Sequence, residues 1–302
     1  MLTGILAGLG AGALWGLVFV VPRITPGLTA VDVTAGRFIS FGAVSAVAML
    51  LALRTRRLPN LQQALTALGM SVLGFTGYYL LLALAIQDAG TEAPTLIIGT
   101  IPIWMMLLGK PLGLKWKTLA PGIVLTAAGL ALMMMANITA DASVPGAGAG
   151  TKNYWRGIGY GVAAMVCWTA FGLMNSIWLK RNTEVNATDW ANWLGVATGL
   201  GALALWFATG SELKVLLALE NSAYLAIICI VTGVGSAWAA TILWNVASQR
   251  LSASLCGQMI VSETVFALVY SYAWDAQWPG ALQAAACILF ILGILASIRA
   301  HQ

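Results

Sequence analysis

The chain carries the same five-segment hydrophobic pattern twice. The first long apolar run of each half has a tryptophan near its middle, in GAGALWGLVF (Gly10–Phe19) and in GVAAMVCWTAFG (Gly161–Gly172). The two tryptophans are Trp15 and Trp168. A duplicated bundle with an odd number of membrane spans per half must insert its halves in opposite orientations. The repeat therefore indicates a membrane bundle with internal inverted symmetry.

Composition supports a lipid environment for this pattern. Of the 302 residues, 60% are hydrophobic and only 8% are charged, whereas soluble domains carry about 25% charged residues. A soluble globule this apolar could not cover its surface with polar side chains. A membrane-spanning helix needs about 20 mostly apolar residues. Such segments lie near residues 3–21, 33–53, 64–86, 91–109, 118–137, 155–178, 188–208, 222–247, 252–273 and 278–298.

The segments fall into two sets of five around one linker. Residues 138–154 are rich in Gly, Ala and Pro, a composition typical of a flexible tether. The sequence therefore predicts a first five-helix repeat over residues 1–137 and a second over residues 155–302. In each repeat the third and fourth segments are separated only by a short polar stretch, Gln87–Gly90 or Ser248–Arg250. These stretches predict tight helical hairpins at matching positions.

The distribution of charge orients the predicted bundle. If the N-terminus is cytoplasmic, ten of the 15 basic residues fall in cytoplasmic loops or the C-terminal tail, and most acidic residues fall on the opposite side. This is the positive-inside pattern. It predicts cytoplasmic termini and an extracytoplasmic linker, and it explains the net charge of +5 without a nucleic-acid partner. The ten residues are Arg54, Arg56, Arg57, Lys110, Lys115, Lys117, Lys180, Arg181, Arg250 and Arg299.

Few residues suited to catalysis or metal binding occur in the apolar segments. The only histidine is His301, beside the C-terminus, and the four cysteines form no CxxC pair. This composition excludes a His-based metal site or catalytic triad within the membrane. We therefore expect no catalytic residue, no metal and no cofactor. The expected partners are a small-molecule substrate and membrane lipid, with no obligate protein partner.

Glu263 is the sharpest functional candidate, because it lies near the middle of the ninth segment. A charged side chain at that depth costs about 2.5–3.5 kcal/mol on insertion scales. Its functional roles would be recognition of a substrate ammonium group or proton coupling. The structural alternative is a hydrogen bond to Ser262, Thr264 or a neighbouring helix. No Lys or Arg is expected at comparable depth, so the sequence does not predict a buried salt bridge.

Aromatic residues in the segments form a second candidate set. Tryptophans at helix ends usually anchor a helix at the membrane interface, but aromatic residues in the middle of a helix fit that role poorly. The alternatives are a substrate cavity, which could also attract an ammonium group by cation–π interaction, and ordinary bundle packing. The candidate substrate-binding aromatic residues are Trp15, Phe19, Tyr78, Tyr79, Trp168, Phe171 and Trp238.

Polar residues and one proline complete the candidate site. Thr95 and Gln258 are candidate substrate contacts, although interhelical hydrogen bonds explain many such residues. Pro102 lies in the fourth segment and lacks the N–H that would continue the helical hydrogen-bond ladder. It predicts either a fixed kink or the hinge of a gate, and both alternatives stay open.

Short motifs recur in a fixed order along the chain. The first half contains Leu14-Trp15-Gly16, Arg37-Phe38, Ile101-Pro102 and Leu119-Ala120-Pro121-Gly122. The second half echoes them with Trp168, Ser262-Glu263-Thr264 and Trp278-Pro279-Gly280-Ala281-Leu282. In this order the motifs resemble the EamA-type branch of the drug/metabolite transporter superfamily over nearly the whole chain. Within it, the chain is most similar to YddG-type aromatic amino-acid exporters.

The resemblance implies an all-α membrane protein with ten transmembrane helices as two inverted five-helix repeats. It also implies an inner-membrane exporter of amino acids, aromatic or other apolar ones, and related small metabolites, working by alternating access. A multidrug or other metabolite carrier is the alternative on the same fold, and an intramembrane enzyme is the alternative of another class. One departure is that the family often has proline in helix nine, matching Pro102, where this chain has Glu263.

Overall fold

The computed structural model describes residues 1–19, 21–25, 27–52, 58–89, 92–141, 153–276 and 278–302. Within these ranges the chain is helical and contains no β-strand. The longer helices of the first half are α1 (Leu2–Gly16), α2 (Ala30–Ala52), α3 (Leu61–Ala89), α4 (Glu92–Gly99 and Ile101–Leu108) and α5 (Trp116–Asp141). Those of the second half are α6 (Tyr154–Arg181), α7 (Ala187–Thr209), α8 (Ser222–Arg250), α9 (Ala253–Asp275) and α10 (Ala281–Ala300).

Eight of the described helices are long and apolar enough to cross a membrane. The shorter ones, α1 and α4, lie at the first and fourth of the ten predicted spans. Helix α1 has 15 residues and is followed by a 3-10 turn, Leu17–Phe19, and a short helix, Val21–Ile24. Helix α4 is divided at Thr100. The predicted segments therefore correspond to eight long helices and two that are short or interrupted.

Two predicted hairpin connections were wrong in detail. Helix α3 continues through Ala89 and α8 through Arg250, so Gln87–Ala89 and Ser248–Arg250 are helical rather than loop. Gln, Ala and Arg are good helix formers. In addition, a cation in the last turn, here Arg250, interacts favourably with the helix dipole. Polarity at these positions therefore marks the end of a helix and not a break in it.

The predicted linker overlaps the end of α5, which extends to Asp141, beyond the expected boundary at residue 137. Residues 142–152 of that linker lie outside the described residues, as does Gly90 of the first predicted hairpin. Four basic residues also lie outside them, of which the first three supported the topology argument: Arg54, Arg56, Arg57 and Lys152.

Side-chain caps fix where several helices begin. At the start of α3, Asn60 accepts a hydrogen bond from the Gln63 N–H, and the Gln63 side chain accepts one from the Asn60 N–H. At the start of α9, the Ser252 hydroxyl oxygen accepts a hydrogen bond from the Leu255 N–H. These bonds satisfy N–H groups that have no partner within their own helix.

Helices α3 and α8 share an irregularity. Each is 29 residues long, and each contains a π-helical turn at the same distance from its first residue, Val72–Thr76 in α3 and Gly233–Ala239 in α8. Such turns occur frequently at functional sites. Tyr78 and Tyr79 follow the turn in α3 after Gly77, and Trp238 lies within the turn in α8.

The helices pack in a pattern that is symmetric between the two halves. Helix α2 packs against α7, α5 against α10, and α4 against α9. The contact of α3 with α6 has its counterpart in that of α8 with α1, and the contact of α1 with α9 has its counterpart in that of α6 with α4. If each helix is replaced by its counterpart in the other half, α1 by α6, α2 by α7 and so on, every one of these contacts becomes one of the observed contacts.

Candidate functional site

Three tryptophans from three helices meet inside the bundle. The ring centroids of Trp15 on α1 and Trp168 on α6 are 6.3 Å apart. Trp244 on α8 lies 5.4 Å from Trp15 and 6.0 Å from Trp168. Trp244 is buried, and its indole N–H has no hydrogen-bond partner among the described residues. The cluster therefore combines aromatic surface with one unused donor.

Aromatic contacts continue from this cluster into the first half. Trp168 lies 6.1 Å from Phe171, which in turn lies 5.4 Å from Phe75. Phe75 lies 5.8 Å from Phe38, and Phe38 lies 6.4 Å from Tyr79. A path of ring contacts thus runs from α8 and α1 through α6 to α3 and α2. Phe171 is only 2% exposed, so in this state its ring packs against the neighbouring aromatic rings.

Glu263 lies where α9 packs directly on α1. A β-carbon at Gly12 would lie 3.0 Å from the Glu263 nitrogen, and one at Gly16 would lie 3.1 Å from the Glu263 carbonyl oxygen. Residues without a side chain permit this approach of two helices. The Glu263 side chain is partly buried, and its carboxylate forms no hydrogen bond or ion pair with the described residues. Ser262, an expected partner, instead donates to the Met259 carbonyl at 2.6 Å.

Arg37 on α2 is an arginine within a candidate membrane span. It forms no ion pair with Glu263 in the described part of the chain. The Nε of Arg37 is buried and has no hydrogen-bond partner within the described ranges. Helix α8 packs on the α2 backbone at this point, since a β-carbon at Gly233 would lie 2.6 Å from the Arg37 carbonyl oxygen.

Tyr78 and Tyr79 of α3 are both partly buried. The Tyr79 ring lies edge-on to Phe38 of α2, with the ring centroids 6.4 Å apart. The Tyr79 hydroxyl forms a hydrogen bond with the Thr34 side chain, also on α2. Tyr79 therefore lies at the contact between α3 and α2.

The sequence placed no Lys or Arg at the depth of Glu263 and predicted no buried salt bridge there, and this stays a prediction. Arg37 belongs to the first turns of α2, so its backbone is near the predicted extracytoplasmic end of that helix. A long arginine side chain can carry its charge well away from its own backbone.

Two predicted site residues are occupied by hydrogen bonds to other helices. Gln258 donates from Nε2 to Thr126 on α5 and accepts from Ser297 on α10, both at 3.0 Å. Trp238 donates its indole N–H to Asn192 on α7 at 2.8 Å. These partners favour interhelical packing over substrate contact for both side chains.

Pro102 is buried at the start of the second part of α4, Ile101–Leu108. The division of α4 falls at Thr100, two residues before Pro102, which lacks an N–H. The Thr100 hydroxyl donates to the Ile97 carbonyl at 2.6 Å and accepts from the Trp104 indole N–H at 3.2 Å. Side-chain bonds therefore hold the chain together where the helical ladder is interrupted.

Two predicted site residues remain, Thr95 and Phe19. Thr95 is exposed on the first part of α4. The side chain of Phe19 lies outside the described part of the chain, although its backbone belongs to the 3-10 turn after α1.

Known proteins share both the sequence pattern and the fold. Residues 2–135 match the EamA-like transporter family. The inner membrane protein YtfF of Escherichia coli (strain K12) is 30% identical, over 99% of this chain and 96% of that protein. A protein crystal structure with 18% sequence identity has a TM-score of 0.76 over 99% of this chain and 98% of that one, which shows a common fold.

Proposed function

Because the chain belongs to the EamA-like transporter family, we propose that it is an inner-membrane exporter of amino acids, aromatic or other apolar ones, and of related small metabolites. The name of the Escherichia coli relative supports the location, and eight candidate spans support a multi-pass chain. The observation that carries the substrate assignment is Glu263, whose carboxylate has no ion-pair contact in the described chain and whose backbone lies against the helix of Trp15. A carboxylate attracts an ammonium group, and indole rings stack on aromatic side chains.

The proposed architecture is ten transmembrane helices in two inverted repeats, residues 1–137 and 155–302, with an extracytoplasmic linker at 138–154 and both termini cytoplasmic. Two observations support it: the helix contacts that persist when the halves are exchanged, and the matching π-helical turns of α3 and α8. Helices α1 and α4 are the two remaining proposed spans. Helix α1 is followed by a 3-10 turn within its apolar segment and then by a short helix, and α4 is divided at Thr100 within its apolar segment.

The transport mechanism would be alternating access around a site near the bilayer midplane. Trp15 and Trp168 belong to different halves and to helices that correspond in the symmetric packing. Relative movement of the halves would therefore reshape the ring path. The break before Pro102 and the two π-helical turns are places where helices bend most easily, so we assign Pro102 to a hinge.

A carrier of drugs or other metabolites is the second candidate. The extent of the aromatic path favours it, since ring faces bind many flat apolar molecules with little selectivity. The two candidates differ in whether a charged head group is required.

Transport in proteoliposomes separates these candidates. Labelled phenylalanine, tryptophan and threonine would be compared with a labelled lipophilic cation, each under outward and inward gradients. The amino-acid proposal expects phenylalanine and tryptophan to move faster than through protein-free liposomes. Movement of the cation alone would favour the drug carrier, and movement of none of the four would end the exporter proposal.

A further inference from the structure

Helices α2 and α7, one from each half, cross where both have a glycine. A β-carbon at Gly42 would lie 2.7 Å from the Gly199 Cα, and one at Gly199 would lie 2.7 Å from the Gly42 Cα. Both helices have 23 residues, and each glycine lies at the same distance from the first residue of its helix. Residues without a side chain permit such an approach of two backbones. The crossing is therefore symmetric between the halves and closely packed.

A second contact joins the start of α2 to the end of α7. The Asp32 carboxylate accepts hydrogen bonds from the Ser211 N–H at 2.9 Å and from the Ser211 hydroxyl at 2.7 Å, just after α7 ends at Thr209. It also accepts from the Thr29 N–H at 3.2 Å and from the Thr29 hydroxyl at 2.6 Å. Asp32 is only 5% exposed. Because two separate contacts fix the angle between α2 and α7, tilting one on the other would break these buried bonds.

The π-helical turns of α3 and α8 both rest on this pair of helices, each on the helix from the opposite half. A β-carbon at Gly201 on α7 would lie 2.9 Å from Thr76 Cγ2 in the turn of α3. A β-carbon at Gly233 in the turn of α8 would lie 2.5 Å from Ser40 Cβ on α2. Helices bend readily at such turns. The places where α3 and α8 bend most easily therefore lie directly on α2 and α7.

We propose that α2 and α7 move as one rigid unit, and that α3 and α8 bend on this unit at their π-helical turns during transport. This inference rests on the proposed transport function and names the parts that move and the part that does not. It assigns different roles to two contacts on the predicted extracytoplasmic side. The contact of Asp32 with Ser211 persists in every state, whereas the contact of Asp88 on α3 with Arg156 on α6 opens and closes.

The burial of the two contacts agrees with these roles. Asp32 is buried, and breaking its bonds would leave a buried charge without partners, which is costly. Arg156 is 56% exposed, so water can replace its bonds to Asp88 when the helix ends separate. Exposed ion pairs contribute little to stability. The second contact can therefore break at a cost that a transport cycle tolerates.

Cross-linking distinguishes a fixed contact from one that opens. The double variants Asp32→Cys/Ser211→Cys and Asp88→Cys/Arg156→Cys would each be joined by a short bifunctional methanethiosulfonate, and mass spectrometry would verify the cross-link. Counterflow of labelled phenylalanine would be measured before and after reduction. We expect the first cross-linked variant to transport as fast as its reduced form, and the second to lose transport until it is reduced. Wild-type protein given the same reagent controls for its own four cysteines.

Transport that is lost on cross-linking the first pair and regained on reduction would overturn the rigid unit while leaving the transport proposal intact. Transport that persists in both cross-linked variants would overturn the assigned opening of α3 from α6. If wild-type protein moves no phenylalanine, the transport proposal itself fails.

Single variants provide a second measurement, because Asp32→Cys also removes the bonds to Thr29. Ser211→Cys and Asp88→Cys would be labelled with a membrane-impermeant maleimide, with and without phenylalanine. We expect phenylalanine to change the labelling rate of Asp88→Cys and to leave that of Ser211→Cys unchanged. A labelling rate that depends on phenylalanine in Ser211→Cys would overturn the rigid unit.

Discussion

Arg156 at the start of α6 binds Asp88 near the end of α3 through two parallel hydrogen bonds, 2.6 Å from Nε to Oδ2 and 3.0 Å from Nη2 to Oδ1. The two helix ends are in close contact here, since a β-carbon at Gly157 would lie 2.7 Å from the Ala89 nitrogen. The pair therefore ties the first half of the chain to the second at the predicted extracytoplasmic side.

If alternating access separates these helix ends, breaking the pair should favour opening on that side. Asp88→Asn and Arg156→Gln should each change the initial transport rate by a modest factor, because Arg156 is 56% exposed and exposed pairs contribute only about 0.2–1 kcal/mol. The double variant should resemble either single variant, since all three lose the same interaction. Fully additive effects in a double-mutant cycle would exclude a shared role.

Gly12→Ala should destabilise the protein and slow transport. The new methyl group would meet the Ser262 hydroxyl and the Glu263 backbone, so α1 would have to move away from α9. Overpacking of this kind costs about 1–3 kcal/mol, which thermal unfolding in detergent measures. Gly69→Ala is the matched control, because an added methyl group there meets no atom within 4 Å. Equal melting temperatures for the two variants would contradict the packing assigned to α1.

Trp168→Ala should slow the transport of aromatic substrates, because it removes the ring that joins Trp15 and Trp244 to Phe171. Aromatic pairs contribute about 0.5–1.5 kcal/mol beyond their buried area, so a loss of about two- to tenfold per contact is expected. Initial rates with labelled phenylalanine at matched protein levels measure it. Trp278→Ala, at a residue that is 95% exposed, serves as the control and should transport normally.

Asn175→Ala should lower stability through a buried hydrogen-bond network. Asn175 accepts from the Trp190 indole N–H at 2.6 Å and donates to Asn245 at 3.1 Å. Its removal leaves buried polar groups without partners, at about 1–3 kcal/mol. Thermal unfolding would show the loss, and Met174→Ala, at the exposed neighbouring position, would provide the comparison. An unchanged melting temperature in Asn175→Ala would mean that the network contributes nothing to stability.

The positions of the helices could be predicted because span length and hydropathy are local properties of the chain. The helical ends at Ala89 and Arg250 were missed because polarity and helix termination are different properties, and polar residues with good helix propensity continue a helix. The break in α4 followed from Pro102, whose missing N–H acts within a single helix.

The partners of the candidate residues could not be predicted in this way, because they depend on which helices face one another. Glu263 stood out by its charge alone, yet the contacts of its backbone with Gly12 and Gly16 join opposite halves of the chain. Gln258 and Trp238 were candidates by depth and type, and only the packing of α5, α7 and α10 reveals their hydrogen-bond partners. Trp244 was not among the predicted substrate-binding residues, and its burial arises from contacts with α1 and α6.

Counterflow of labelled phenylalanine tests the central claim most directly. Proteoliposomes loaded with unlabelled phenylalanine are diluted into a trace of labelled phenylalanine, and internal label is followed over time. The account predicts transient accumulation of label above its equilibrium level with wild-type protein, and a strongly reduced peak with Glu263→Gln at equal reconstitution. Label that enters wild-type proteoliposomes no faster than protein-free liposomes would contradict the account.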